Sequence, residues 1–153
     1  MSRTIAKTAK VLVAVAAAAT MPILAAGTAE AHTSSGCTVE PMTPLFAGFN
    51  TAGTKLINYR VSVTCTGGRS VEITQERWES DGWPNPDDHL GTSTFNRTFS
   101  VTGSTTISNV RTLVDGELGN EEVYQKVRFR VTSNGVTSPW TGWHSSAQLS
   151  IAN

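Results

Sequence analysis

Hydrophobic and polar residues alternate along this chain with a period of two, the spacing of a strand that buries one face. From Ile57 onward Ile57, Tyr59, Val61, Val63 and Cys65 are apolar, while Asn58, Arg60, Ser62, Thr64 and Thr66 between them are polar. Gly67-Gly68 ends that strand as a turn. Val71 and Ile73 open the next, which runs toward Trp78, and its change of parity near Glu76-Arg77 predicts a bulge. Residues 81–91, crowded with Gly, Pro, Asn and Asp, predict a loop. Phe95, Phe99 and Val101 line a fourth strand, Ile107 through Leu113 reads as a fifth, and 114–120 is a second polar loop. In the sixth, Val123, Val127, Phe129 and Val131 face inward and Lys126, Arg128 and Arg130 outward. Asn134-Gly135 predicts a hairpin into a last strand that returns through Trp140 and Trp143 to Ala147, Leu149 and Ile151. With a short first strand at Cys37–Glu40 the count is seven. No stretch carries a helical period, so the expected fold is all-β, a seven-stranded antiparallel sandwich of two sheets.

The N-terminal region follows a different rule. Arg3, Lys7 and Lys10 precede an unbroken apolar run, Val11–Ala19; Pro22 then breaks the pattern and Ala29-Glu30-Ala31 presents small residues before a cut. That is the layout of a secretory signal peptide over residues 1–31, and the run is too short to span a bilayer. Cleavage removes three of the twelve basic and one of the twelve acidic side chains, leaving net −2 over 122 residues. The expected product is extracellular: a flexible polar leader, His32–Gly36, followed by one sandwich domain over 37–153. Its charge balance does not suit nucleic-acid binding by bulk attraction. Cys37 and Cys65 would meet an oxidising environment and pair, tying the first strand to the end of the second.

The stretch VYQKVRFRVTSNGVTSPWTGW, residues 123–143, resembles the last hairpin of fibronectin type III domains: alternating Val and Arg, an Asn-Gly turn, then Ser-Pro-Trp-Thr. Tyr124 is out of step with the inward face, and the cysteines do not sit where antibody-type domains place them. The chain looks like a small secreted actinobacterial sandwich protein of the immunoglobulin or fibronectin type. The resemblance implies a non-catalytic binding module. In setting, size and plan it also resembles the small adaptor subunit of actinobacterial umbrella toxin particles, which implies a secreted or cell-surface protein as partner.

Several residues are candidates for that contact or for other chemistry. Trp83, between Gly82 and Pro84, is expected either to project beside Asp87 and Asp88 as a partner-binding surface or to fold back as a lid. Trp140 and Trp143 are three apart, so one is expected in the core and one exposed. With Trp83 they could also form a stacking platform for polysaccharide. Lys126, Arg128 and Arg130 make a basic stripe that Glu72 and Glu76 can neutralise across the sheet. Cleavage before His32 would expose an α-amine and an imidazole on one residue, a copper chelate that His89 or His144 could complete. In this the chain resembles lytic polysaccharide monooxygenases and copper-binding sandwich proteins of the CopC type. No nucleophile elbow, Ser-His-Asp set, standout carboxylate pair or phosphate-cradling glycine loop is present, so no catalytic residue and no obligatory cofactor are expected. The leader could add a strand to a partner.

Overall fold

Alternation becomes two antiparallel sheets packed through their apolar faces. The computed structural model describes residues 32–81, 84–113 and 120–152. The expected signal peptide, Trp83 and all of the 114–120 loop but Asn120 lie outside the described residues. Where seven strands are expected, the described residues hold eleven: β1 His32–Ser34, β2 Cys37–Pro41, β3 Leu45–Phe49, β4 Lys55–Cys65, β5 Arg69–Glu79, β6 Asp88–Phe99, β7 Gly103–Leu113, β8 Glu121–Ser133, β9 Val136–Thr137, β10 His144–Ser145 and β11 Leu149–Ile151. No helix among them is long and apolar enough to cross a membrane.

One sheet is built on β4. Along one edge β7 pairs with it over its whole length, from Lys55↔Leu113 to Cys65↔Gly103. Along the other edge β2 and β3 lie end to end, and β1 pairs with β2. The second sheet runs β6–β5–β8, with β9, β10 and β11 placed one after another along the free edge of β8. Val39, Val61, Val63 and Ile107 of the first sheet meet Val71, Ile73, Val127, Phe129 and Val131 of the second in one apolar cluster. Ile57, Tyr59, Leu113 and Val123 form a second cluster at the other end.

Four expectations need correction. The leader is not free: His32↔Val39 to Ser34↔Cys37 make it a hairpin strand, turned at Ser35 and Gly36, both at positive φ. Arg69 Nε donates to Ser35 O at 2.6 Å and fixes that turn from the opposite sheet. The 81–91 loop ends early, because β6 begins at Asp88, and Val101 lies in a turn rather than a strand. β3 went unread because its exposed residues do not alternate.

The fourth concerns the parity of β5. The register shifts between Arg77 and Trp78, near the expected bulge, but on the β6 side only. Inward parity continues through Gln75 and Arg77, which are buried, while Trp78 points out. Polar residues are tolerated there because the two clusters are separated by a hydrogen-bonded layer. Gln75 Nε2 donates to Gln125 Oε1 at 2.5 Å, and Asn109 Nδ2 donates to Gln75 Oε1 at 2.5 Å. Gln125 Nε2 donates across the core to Met42 O and Arg60 O, at 2.6 and 2.7 Å. Those carbonyls lie where residues 42–44 interrupt pairing along β4; Arg60 O also accepts from Met42 N–H at 3.0 Å, and Gln125 adds a donor to both carbonyls at the gap in the ladder.

Candidate functional site

The cysteines occupy directly opposed positions, Cys37↔Cys65, and are joined as a disulfide between β2 and β4, as expected from their number. Both are buried. Their role is to hold the N-terminal hairpin to the sheet.

The C-terminal run is interrupted for a local reason. Three hydroxyls take the place of backbone carbonyls along β8: Val131 N–H donates to Ser138 Oγ, Phe129 N–H to Thr141 Oγ1 and Gln125 N–H to Ser146 Oγ, at 3.0, 3.0 and 3.1 Å. The chain therefore stays beside β8 without regular pleating, and strict alternation no longer applies to Trp140 and Trp143. Neither is in the core. Both lie over the outer face of the second sheet, where Arg128 sits 5.0 Å from the Trp140 ring and 4.7 Å from the Trp143 ring. Arg130 adds a third contact, 4.8 Å from Trp140, and its guanidinium pairs with Glu72 at 2.6 Å. The pattern Trp143–Arg128–Trp140–Arg130–Glu72 is a ladder of alternating indole and guanidinium groups. Trp143 remains 38% exposed. The expected neutralisation of the basic stripe is thus met at Arg130 by Glu72, whereas Glu76 accepts from Trp78 Nε1 at 3.2 Å.

The same face continues with a second aromatic group. Lys126 Nζ lies 4.5 Å from the Trp78 ring and 5.4 Å from that of Tyr124. Tyr124 points outward yet is buried, and its hydroxyl donates to Asp87 Oδ2 at 2.6 Å. Asp87 is therefore engaged with the body of the sheet, while Asp88 opens β6 at an exposed position. Desolvation, and then the charges of Asp88 and Asp87, hold the carboxyl of Asp81 above its ordinary range. Among the described residues no group of three or more histidine, cysteine or carboxylate side chains is arranged to hold a metal ion.

Two of the three candidate histidines come together. The rings of His32 and His144 stack at 3.9 Å with 29° between their planes, and His32 also meets the core ring of Phe129 at 6.3 Å. This contact joins β1 of one sheet to β10 of the other. His89 is elsewhere: its ring lies 4.9 Å from Trp78 and its Nε2 is 3.1 Å from Thr92 Oγ1, on the edge strand opposite β10. The sequence offers His89 and His144 alike as partners for His32, and spacing does not choose between them, because the pair depends on how the hairpin folds against the C-terminal run.

Another surface feature was absent from the sequence reading. Leu45, Phe46 and Phe49 of β3 are 44%, 44% and 62% exposed. Residues three apart in a strand normally face opposite ways. Here the register shift between Phe46 and Gly48 returns both rings to one side, in an edge contact at 5.2 Å.

No family model, curated protein or solved structure matches this chain.

Proposed function

We propose that the chain is a secreted, non-catalytic interaction module that attaches to another secreted or cell-surface protein, as the adaptor of an extracellular assembly such as a toxin particle. The observation that carries this reading is the Trp143–Arg128–Trp140–Arg130 ladder on the outer face of the second sheet. Tryptophan and arginine dominate protein-binding hot spots, and side chains already ordered against one another lose little freedom on association. Strand order supports the immunoglobulin and fibronectin type III likeness. β2, β4 and β7 make one sheet and β6, β5, β8 and the interrupted C-terminal run the other, seven principal strands with β1 and β3 as additions. The buried disulfide is compatible with export.

The test is recovery of the tagged chain from culture supernatant with its associated proteins, against a Trp143→Ala variant. A specific partner lost in the variant is the expected result. A chain recovered alone, or a partner held equally by both forms, would count against the reading.

Copper binding is the second reading, and the His32–His144 stack favours it. Cleavage before His32 would add the α-amine as a third nitrogen, a donor set suited to copper, with His89 taking no part. Copper titration of the chain starting at His32, with and without His144→Ala, decides it; equal affinity in both ends the idea. A carbohydrate platform has less support, because the Trp140 ring already lies against Arg128 and Arg130.

A further inference from the structure

The outer face of the second sheet carries three cations on β8, Lys126, Arg128 and Arg130, and two acids on β5, Glu72 and Glu76. Strand register decides which of them meet. Glu76 lies opposite Lys126 and Glu72 opposite Arg130, whereas Arg128 lies opposite Thr74. Beyond Thr74 the row continues to Thr94 of β6, so it holds no carboxylate. Opposite charges on neighbouring strands stabilise a sheet, and Arg128 alone of the three cations lacks that arrangement. The flanking acids do not serve it. Glu72 Oε2 is engaged by Arg130, through Nε at 2.7 Å and Nη2 at 2.6 Å, and Glu76 accepts from Trp78 Nε1. Among the described residues Arg128 has no hydrogen bond and no ion pair. Its contacts are with the rings of Trp140 and Trp143, and its Nε is buried without an acceptor. The two Nη atoms also lack an acceptor but are not buried, and Trp143 beside them is 38% exposed. The chain thus holds one guanidinium against two indoles, reachable at its edge, with the counter-charge missing.

We propose that Arg128 is the specificity-determining residue of the partner-binding face and takes one carboxylate, from an aspartate or glutamate side chain of the partner protein, on its Nη edge beside Trp140 and Trp143. The inference rests on reading the ladder as that face, and adds what the face selects. A carboxylate matches the planar guanidinium fork and brings the charge that the row Thr94–Thr74–Arg128 lacks. Both indoles restrict the guanidinium before the partner arrives, and the exposed part of Trp143 offers apolar cover that keeps water from the pair. One acid fits better than a polyanion. Glu72 and Glu76 stand on either side of Thr74 along β5, so they repel the next charges of a phosphate-rich polymer laid along the strand.

The test is selection of random peptides displayed on phage against the immobilised protein, followed by affinity measurement with the selected peptides in synthetic form. The expected peptides share one Asp or Glu among apolar neighbours. Replacing that acid by its amide should weaken binding at least about tenfold, and so should Arg128→Gln. The two changes together should weaken it little more than either alone, because both remove one contact. Thr74→Glu is the check that keeps Arg128 and its indoles in place. An acid of the chain's own opposite Arg128 should raise the urea midpoint, but not when Arg128→Gln is also present. It should weaken the peptides at least about tenfold, while Thr74→Gln leaves them within about twofold. No selected peptide, peptides without an acid, affinity indifferent to Arg128→Gln or Thr74→Glu, or capture of inorganic polyphosphate through Arg128 would each overturn the proposal. A supernatant partner lost in Trp143→Ala but kept in Thr74→Glu would refute it and leave the adaptor reading standing. Acid-bearing peptides with no partner in the supernatant would do the reverse.

Discussion

Gln75 and Gln125 meet side chain to side chain in the middle of the core, amide to amide at 2.5 Å, Gln75 following Val71 and Ile73 on its face of β5 and Gln125 lying between Val123 and Val127 on its face of β8. Between them they also bind Tyr59 O, Met42 O and Arg60 O. The pair thus joins the two sheets at the level where β2 ends and β3 has not yet begun.

Removing Gln125 should therefore cost more than removing an ordinary surface amide. Gln125→Leu leaves the carbonyl of Met42 without its side-chain donor, leaves Arg60 O with only the Met42 N–H at 3.0 Å, and leaves Gln75 Nε2 with only its longer contact to Tyr59 O, at about 1–3 kcal/mol for a buried group left unpaired. Urea unfolding should show a loss of at least about 2 kcal/mol. Gln75→Leu combined with Gln125→Leu should lose less than the sum of the two single changes, because both act on one network.

Alkaline pH should weaken the fold through two phenols. Tyr59 is held above its ordinary range by burial, with Glu79 adding and Arg77 opposing. Tyr124 is raised by burial, by its hydrogen bond to Asp87, and by the charges of Asp87 and Glu76. In both cases the folded state keeps the proton longer than the unfolded chain. Their contribution is fully present below about pH 10, the unfolded phenol value, and is lost as pH climbs toward the folded one. The slope approaches about 1.4 kcal/mol per pH unit for each tyrosine. Unfolding midpoints measured from pH 8 to 11 should fall, and Tyr59→Phe should flatten the decline.

Reduction of Cys37–Cys65 should destabilise the chain by about 3–4 kcal/mol on the loop-entropy account, given a separation of 28 residues. The comparison is urea unfolding with and without reductant, or of the double Cys→Ala variant. The loss should appear first as hydrogen exchange in β1 and β2, which the bond fastens to β4.

The outer ladder should be unevenly sensitive. Arg128→Ala removes contacts with two indoles and should lower stability by about 1–2 kcal/mol, with a change in tryptophan fluorescence. Glu72→Ala should cost under about 1 kcal/mol, since that ion pair is partly open to water.

The sequence by itself determined the class of fold. Period-two alternation in β4 and β8, the Gly67-Gly68 and Asn134-Gly135 turns and the two cysteines each express a local or pairwise constraint, and each survived assembly. Candidate sites were legible only as residue types. Trp140, Trp143 and Arg128 could be named, but their stacking depends on Ser138, Thr141 and Ser146 lending hydroxyls to β8, a long-range pairing. The inward turn of Gln75, Gln125 and Arg77 was likewise unreadable. A polar residue at an apolar parity looks like a bulge until the opposite sheet supplies its partners. Only the tertiary structure decided that His32 meets His144, and that β3 is left with an uncharged, apolar edge. Alternation reports which face of a strand is dry; what lies across that face, or beyond an edge, is set by elements distant in sequence.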